Sequence, residues 1–238
     1  SDFVVLYRTN AQSRTFEEVF LNYRIPYQIV GGVRFYQRKE VKDVLAYLRV
    51  ILSPSDDVSL LRIINVPTRG IGLQTIEVIR RVAGDEGISL WEAIQHPSLS
   101  NQLTARAFTA VGQFRQLIED LRALRDKISV TDLLKEVLHR TDYLQRLGDA
   151  RDPEVQSRVE NVKELLTATQ QFDASPEAER GLAGFLESVA LVADVDSLEE
   201  GNDRVTLMTV HAAKGLEFPI VFLVGMEEGL FPHIHAIN

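Results

Sequence analysis

The sequence predicts a parallel α/β sheet that is formed by both ends of the chain and interrupted by a large, mostly α-helical insertion. Short apolar runs rich in β-branched and aromatic residues occur only near the two ends. Between them, apolar residues recur with the period of helices. A near-continuous apolar run close to the end of the chain is typical of a strand buried on both faces of a parallel sheet.

The first part of the chain predicts a strand, a loop, a helix and a second strand. Residues 3–7 (FVVLY) carry no charge and favour a strand, and residues 26–30 (PYQIV) favour another, which ends at Gly31 and Gly32. The helix between them has its apolar face at Phe16, Val19, Phe20 and Tyr23. This order is typical of one repeat of an α/β sheet.

Most of the next 150 residues predict helices. A helix is predicted from Lys39 onward, and Ser53-Pro54 ends it. Its apolar face consists of Val41, Val44, Leu45, Leu48, Ile51 and Leu52. Asp56 or Asp57 is suited to cap the next helix, which carries Leu60 and Ile63. Further helices are predicted over residues 75–82, 103–124, 132–139, 155–169 and 183–192.

The strand pattern returns near the end of the chain. Residues 205–209 (VTLMT) and 219–225 (PIVFLVG) favour two strands, and the second is apolar enough to be buried on both faces. Strands therefore flank the helical block, and the two ends are expected to share one sheet. Val5 and Val221 should lie in the same layer.

Composition limits the kinds of protein this can be. Of 238 residues, 45% are hydrophobic and 25% charged, and there is no cysteine, which excludes disulfides and thiolate metal sites. No apolar run approaches the roughly 18 residues that span a bilayer, so a soluble, cytoplasmic protein is expected. The net charge is -8, yet residues 24–81 carry ten basic against five acidic residues. A polyanionic partner should therefore meet the first third of the chain.

Two polar segments follow predicted strands. Loops at the carboxyl ends of parallel strands line the ligand crevice of open α/β sheets. His211, Lys214 and Glu217 follow the strand 205–209, and the pattern favours ligand contact and a merely solvated turn about equally. Arg8 and Asn10 follow the first strand and could donate to phosphate or base edges. The alternative, in which Asn10 caps a helix and Arg14 is solvated, is favoured by pattern alone.

Two further segments carry cations. Thr68-Arg69-Gly70-Ile71-Gly72 places two glycines before a predicted helix, a geometry that suits a backbone phosphate, although a tight turn between packed helices needs no ligand. The local positive charge favours phosphate. Residues 34–39 (RFYQRK) interleave aromatic and basic side chains, and packing of at least one aromatic against the core is the favoured role.

The histidines do not predict a metal site. The five are His96, His139, His211, His233 and His235. None has metal-ligand spacing supported by carboxylates, so no metal is assigned. No Ser, His and Asp set has the context of a nucleophile elbow either.

Four segments in this order resemble the UvrD, Rep and PcrA group of superfamily 1 DNA helicases, and the resemblance runs almost end to end. They are LYRTNAQSR at 6–14, GGVRFYQRKEVKD at 31–43, INVPTRGIG at 64–72, and LMTVHAAKGLEF at 207–218 with GMEEG at 225–229. Four matches at the right separations are far more specific than any one of them. Residues 91–200 contribute little to the resemblance.

The resemblance implies a RecA-like motor domain, called 2A, interrupted by a helical subdomain, called 2B. Residues 1–31 and 204–238 would be parts of 2A, and residues 32–203 would be 2B. Arg8, Asn10, His211 and Lys214 would contact single-stranded DNA, and Thr68, Arg69, Gly70, Ile71 and Gly72 would contact the backbone of duplex DNA. Gly215 and Glu217 would lie at the ATP cleft.

The resemblance also implies a function for the longer protein: an ATP-dependent helicase, moving 3′ to 5′ in repair or replication, that uses ATP and Mg²⁺. This sequence contains no glycine-rich phosphate loop with its lysine, no paired acids for Mg²⁺ and no later arginine motif, so it is expected not to hydrolyse ATP alone. Exposed sheet edges are expected to favour dimers or swapping. The alternative function is an acidic helical module that docks proteins, such as repair or replication factors, without binding DNA.

Overall fold

The computed structural model describes residues 2–195 and 203–227. It contains ten α-helices in these ranges: α1 Ser13–Asn22, α2 Lys39–Leu52, α3 Asp57–Ile63, α4 Leu73–Glu86, α5 Leu90–Ala93, α6 Leu99–Gln102, α7 Ala105–Arg122, α8 Val130–Thr141, α9 Pro153–Asp173 and α10 Gly181–Val195. The four strands are β1 Phe3–Tyr7, β2 Tyr27–Val30, β3 Val205–Thr209 and β4 Ile220–Leu223. Short 3₁₀ helices cover Asn10–Gln12, Phe35–Gln37, Gln145–Leu147 and Pro176–Arg180.

The chain divides into two compact units. The first comprises residues 1–41, 150–165 and 188–238, and the second comprises residues 42–149 and 166–187. The sheet lies in the first unit. None of the helices in the described ranges is long and apolar enough to cross a membrane.

One four-stranded sheet joins the two ends of the chain, as the sequence predicts. Its strand order is β2-β3-β1-β4, and every neighbouring pair is parallel. Val5 lies opposite Leu207 of β3 on one side and Phe222 of β4 on the other. Val4 pairs with Val221, so the expectation that both ends share one layer is confirmed.

The core of the first unit lies between the sheet and α1. Val5, Tyr7, Tyr27 and Leu207 form a buried cluster, and Phe16, Phe20 and Leu21 of α1 pack against it. Burying each large apolar side chain contributes about 1.5 to 3 kcal/mol relative to exposure. Phe20 lies with its ring centroid 6.0 Å from that of Tyr27 in a tilted arrangement. The predicted apolar face of α1 is right for Phe16 and Phe20 and wrong for Val19 and Tyr23, which are 42% and 76% exposed.

Strand β4 has the predicted place in the chain but not the predicted burial. Its four residues are all exposed, with Val221 at 50% and Phe222 at 51%. The prediction of burial on both faces is wrong for the described residues: a parallel strand is buried where helices cover both faces of the sheet, and all four side chains of β4 are exposed. At the edge of the described sheet, β4 pairs only with β1.

The second unit is helical, and its buried residues follow the predicted periodicity. They include Val44, Leu45, Leu48, Ile51, Leu60, Ile63, Phe114, Ile118, Leu121, Leu133 and Leu134. Asp56 caps α3, because its Oδ1 accepts from the backbone N–H of Ser59 at 3.0 Å. Helix α4 ends at Gly87, whose φ of +65° is the left-handed conformation common after helix ends. The two short helices α5 and α6 have too few residues to show a period.

Candidate nucleic-acid interface

Two loops from opposite ends of the chain meet at the carboxyl edge of the sheet. Because β1 lies beside β3 with Tyr7 opposite Thr209, the residues that follow each strand are neighbours. The backbone N–H of Val210 donates to the carbonyl oxygen of Tyr7 at 2.8 Å and extends the pairing past the strand ends. Arg8 and His211 are thereby placed side by side.

Arg8 and His211 are in direct contact. The Arg8 Nη1 lies 2.8 Å from Nδ1 and 2.9 Å from Nε2 of the His211 ring. The Arg8 N–H can donate to whichever of the two ring nitrogens carries no proton, so the contact does not depend on one tautomer. Arg8 forms no salt bridge within the part of the chain that the structure describes. Its positive charge is therefore available to an anion.

The loop that carries Arg8 is fixed by Gln12. The Gln12 Oε1 accepts from the backbone N–H groups of Arg8 and Thr9, both at 3.0 Å. Thr9 precedes the 3₁₀ helix, and Asn10 is its first residue, so the alternative that Asn10 caps a helix is wrong. The Asn10 side chain instead faces the groove described next.

A groove of about 440 Å³ opens beside these residues. One side is lined by Arg8, Thr9, Asn10, Thr209 and His211, and the other by Pro153, Gln156, Ser157 and Glu160 of α9. A second groove of about 350 Å³ shares Asn10 and Ser157 with the first and extends toward Gly32, Lys39 and Arg158. Three of the four residues that sequence assigns to single-stranded DNA (Arg8, Asn10 and His211) thus line one groove.

Lys214, Gly215 and Glu217 are on the loop between β3 and β4 and do not line the groove. All three are exposed. Gly215 has a φ of +85°, a conformation that residues with a Cβ rarely adopt, and a Cβ there would meet nothing within 4 Å. The loop is held by the Ala213 N–H, which donates to the Thr209 carbonyl at 3.1 Å. The backbone N–H of Lys214 donates to the carbonyl oxygen of His211 at 3.4 Å, so Lys214 follows the groove residue His211 without lining the groove itself.

A buried polar cluster lies beneath the groove, and sequence reasoning missed it. Glu17 of α1 accepts from Ser13 Oγ at 2.5 Å and from the backbone N–H of Phe35 at 3.0 Å. Arg38 donates to Ser13 Oγ and to Asn161 Oδ1, both at 2.7 Å. Burial lowers the pKa of the Arg38 guanidinium, and the nearby Glu17 carboxylate opposes that shift. Buried charged residues do not contribute to the apolar periodicity by which core positions are predicted. In the sequence, only the i, i+4 spacing of Ser13 and Glu17 indicates that these two side chains lie on one face of a helix.

Arg14 is also buried rather than solvated. It is 2% exposed, its Nε donates to Glu164 at 2.6 Å, and its Nη1 donates to Glu18 at 2.8 Å. Tyr36 donates to the same Glu18 at 2.7 Å. Burial, followed by the Glu18 charge, raises the pKa of Tyr36. The solvated alternative for Arg14 is therefore wrong, and Arg14 ties α1 to α9.

The glycine turn before α4 belongs to the second unit. Asn65 Oδ1 accepts from the backbone N–H groups of Arg69 at 2.8 Å and Ile71 at 3.2 Å. Gly70 has a φ of +82°, and Ile71 is fully buried. The N–H groups of Gly70 and Gly72 have no partner among the described residues, and both glycines are exposed. Two amides at the start of a helix suit an anion.

The side chain of Arg69 points into the protein. Its Nη1 donates to the carbonyl oxygens of Ile63 at 2.7 Å and Ile64 at 3.0 Å, at the end of α3. Its Nη2 donates to Tyr47 Oη at 2.5 Å, and the guanidinium lies 5.0 Å from the Phe114 ring centroid. A cation at a helix C-terminus satisfies carbonyls that have no partner within the helix. This guanidinium holds the turn in place.

The aromatic and basic stretch at 34–39 is largely structural. Phe35 is fully buried, which confirms that an aromatic of this stretch packs into the core. Arg38 lies with its guanidinium carbon 5.2 Å from the centroid of the Phe35 ring. Among the described residues, no group of three or more His, Asp or Glu side chains is placed to hold a metal ion. His233 and His235, and the end of the GMEEG segment, lie outside the described residues.

The groove lies at the carboxyl edge of a parallel sheet, which is where open α/β sheets bind their ligands. The family model of the UvrD-like helicase C-terminal domain matches residues 1–238, and the chain belongs to that family. It is 47% identical over 243 residues to the ATP-dependent DNA helicase PcrA of Bacillus subtilis (strain 168), covering 100% of this chain and 33% of the relative.

Other relatives give the same result. The chain is 42% identical to PcrA of Leuconostoc citreum and 43% identical to PcrA of Staphylococcus aureus (strain NCTC 8325 / PS 47). Both alignments cover 100% of this chain and 32% of the relative. The chain thus spans about a third of the length of the curated relatives it matches. The resemblance predicted from four segments is confirmed.

Proposed function

We propose that this chain is part of an ATP-dependent DNA helicase that moves 3′ to 5′ on single-stranded DNA and unwinds duplex DNA in repair or replication. Membership of the UvrD-like helicase family supports this proposal. Residues 1–31 and 204–238 belong to the motor domain 2A, and residues 32–203 form subdomain 2B. These bounds follow the sequence and differ from those of the two compact units, because the first unit also contains residues 150–165.

The groove beside Arg8, Asn10 and His211 binds single-stranded DNA. The observation that carries this assignment is the Arg8 guanidinium, which has no carboxylate partner among the described residues and lines one groove together with Asn10 and His211. Guanidinium and amide groups donate to phosphates and base edges. Lys214, exposed on the same loop as His211, adds positive charge beside the groove.

The turn at residues 68–72 binds the backbone of duplex DNA through its amides. The exposed N–H groups of Gly70 and Gly72 support this role, while the Arg69 side chain supports the turn from within. Backbone amides recognise phosphate without reading sequence, as a helicase working on any duplex requires.

Gly215 and Glu217 contribute to the ATP cleft of the longer protein. The open space around Gly215 and the exposed Glu217 carboxylate fit a nucleotide sugar with its hydroxyl donors. In the longer protein, hydrolysis of bound ATP would supply the free energy for movement, and Mg²⁺ would neutralise the charge that develops on the phosphates. This chain has no phosphate loop of its own, so we expect it not to hydrolyse ATP alone.

Fluorescence anisotropy with a labelled thymidine oligomer tests the strand groove. We expect binding that weakens linearly as log affinity against log salt, and a tenfold loss on Arg8→Ala. Arg106→Ala is the matched control, because Arg106 is an exposed cation on α7 in the other unit. We expect no ATP to be bound by this chain alone, so the test depends on DNA affinity. An affinity for the oligomer that Arg8→Ala leaves unchanged would contradict the assignment of Arg8 to the strand groove.

Duplex binding is tested with two glycines of similar geometry. Gly70 and Gly87 both have positive φ and open space around a Cβ, but only Gly70 lies in the proposed interface. Gly70→Val should weaken duplex binding and spare single-strand affinity, whereas Gly87→Val should spare both. Equal effects of the two changes would contradict the assignment. Absence of DNA binding at every salt concentration would favour the protein-docking alternative.

A further inference from the structure

One face of α9 lines the groove opposite Arg8 and His211. Pro153, Gln156, Ser157 and Glu160 follow the spacing i, i+3, i+4, i+7, which places them on one side of a helix. These four residues are called the α9 stripe. Although their numbers fall inside the helical block of the sequence, they belong to the same compact unit as the sheet.

The α9 stripe is held in place by buried contacts one turn further along the helix. Asn161, 4% exposed, accepts from Arg38 Nη1 at 2.7 Å and donates to Glu40 Oε1 at 2.5 Å. Glu164 accepts from the buried Arg14 at 2.6 Å. Charged and amide hydrogen bonds that are buried and satisfied fix the geometry of the elements they join. The distance across the groove is therefore set by the protein's own core.

The stripe presents two kinds of polar group to the groove. Gln156 and Ser157 can donate hydrogen bonds, and Ser157 lies where the two grooves join. Glu160 is half-buried and has no ion-pair or hydrogen-bond partner in residues 2–195 and 203–227. A carboxylate without a cation partner in a groove for polyanions raises the local negative potential, and this opposes phosphate.

We propose that the α9 stripe forms the second wall of the single-strand groove. Gln156 and Ser157 donate to the strand, while Glu160 repels its phosphates and keeps the affinity low enough for the strand to slide. This inference rests on the proposed function of the groove. It assigns a DNA-contacting role to a helix outside the segments that resemble helicase motifs.

The charge of Glu160 is tested by Glu160→Gln in the full 238-residue chain, with anisotropy of a labelled thymidine oligomer. We expect about threefold tighter binding at low salt, the effect of removing one unit charge roughly 7 Å from a phosphate in a water-filled groove. The gain should shrink as salt rises, because screening shortens the range of the repulsion. Glu179→Gln, an exposed carboxylate in the other unit, makes the same change in net charge.

The donors are tested by the double change Gln156→Ala with Ser157→Ala, which should weaken binding several-fold while the circular dichroism spectrum stays unchanged. Equal gains from Glu160→Gln and Glu179→Gln would overturn the role of Glu160, since net charge alone would explain them. No effect of the double change would overturn the donor role. If Arg8→Ala also leaves binding unchanged, the assignment of the groove to single-stranded DNA is wrong. Arg8→Ala therefore distinguishes failure of the proposed function from failure of the role of the α9 stripe.

Discussion

Tyr7 accepts a hydrogen bond from the backbone N–H of Val210 at 2.8 Å, although the two residues come from opposite ends of the chain. This bond continues the pairing of β1 with β3 past the ends of both strands. It brings the loop of Arg8 against the loop of His211, so each half of the candidate groove is incomplete without the other. The predictions below test the contacts that hold this arrangement.

Removing the charge of Glu17 should destabilise the chain strongly. Glu17 is 3% exposed and lies 3.9 Å from Arg38, which is itself buried. Glu17→Gln removes the carboxylate that most strongly stabilises the charge of that guanidinium, and breaking a buried pair costs about 3 to 5 kcal/mol. Urea unfolding followed by circular dichroism measures the loss. Glu77→Gln, which breaks the exposed pair with Arg80, should cost less than about 1 kcal/mol, and similar losses for both would refute the prediction.

Replacing Arg69 should destabilise the helical unit before it affects DNA directly. The guanidinium donates to the carbonyls of Ile63 and Ile64, and Arg69→Ala leaves them without that partner. Hydrogen bonds from charged groups contribute about 1.5 to 3 kcal/mol. We expect a lower thermal midpoint for Arg69→Ala than for Arg80→Ala on the exposed face of α4. An unchanged midpoint together with lost duplex binding would instead show that the guanidinium contacts DNA.

Tyr7 should make the chain sensitive to alkaline pH. Burial, followed by the Glu17 charge, raises the pKa of Tyr7 to about 12. Because the folded pKa exceeds the unfolded value near 10, stability from this group is fully present below pH 10 and is lost as pH rises toward 12. Urea unfolding between pH 8 and 11 should show a smaller alkaline loss for Tyr7→Phe than for the unchanged chain. Equal losses would show that Tyr7 does not contribute.

Tyr7→Phe should also be tolerated at neutral pH. The Tyr7 hydroxyl is buried without a hydrogen bond of good geometry among the described residues; Ser13 is near enough to lower the pKa of Tyr7, but its Oγ is engaged by Glu17 and Arg38. Such a hydroxyl costs roughly 1 to 3 kcal/mol, so its removal should be neutral or stabilising. A loss above about 1 kcal/mol at pH 7 would indicate that the hydroxyl has a partner.

The exposed edge at β4 should promote self-association. Its apolar side chains are 41–51% exposed, and on its outer side β4 pairs with no other described strand. Unpaired apolar edges recruit strands from other chains. We expect a concentration-dependent dimer in light scattering, reduced by Val221→Lys, while Leu191→Lys on α10 serves as an exposed apolar control. A monomer at all concentrations would count against the edge as an interface.

Strands β1 and β3 were predictable because their residues are β-forming and uncharged over the whole length of each strand. Residues 3–7 and 205–209 alternate or run apolar without charge, and the observed strands have the same bounds. The exposure of β4 was not predictable, since an apolar run does not show whether other parts of the protein cover the faces of the strand. Short helices α5 and α6 have four residues each, too few for a helical period.

The candidate groove was predictable only in part. Strand ends gave Arg8 and His211, because parallel strands direct their following loops to one edge. The α9 stripe was not found, since its contact with that edge depends on the buried bonds of Arg38 and Asn161, which join residues far apart in sequence. Arg14 was misjudged for the same reason: its partner Glu164 is 150 residues away.

The sheet order has a consequence for how the chain is made. Among the described strands, β2 pairs only with β3, and β1 pairs only with β3 and β4. In a growing chain, β1 and β2 are therefore made before β3, the described strand that joins them, and residue 205 follows Val30 by on the order of 10 to 35 s at ordinary rates of synthesis. The helices of the second unit make contacts that are local in sequence and can form during that interval, whereas the pairing of β1 and β2 with β3 is non-local and must wait.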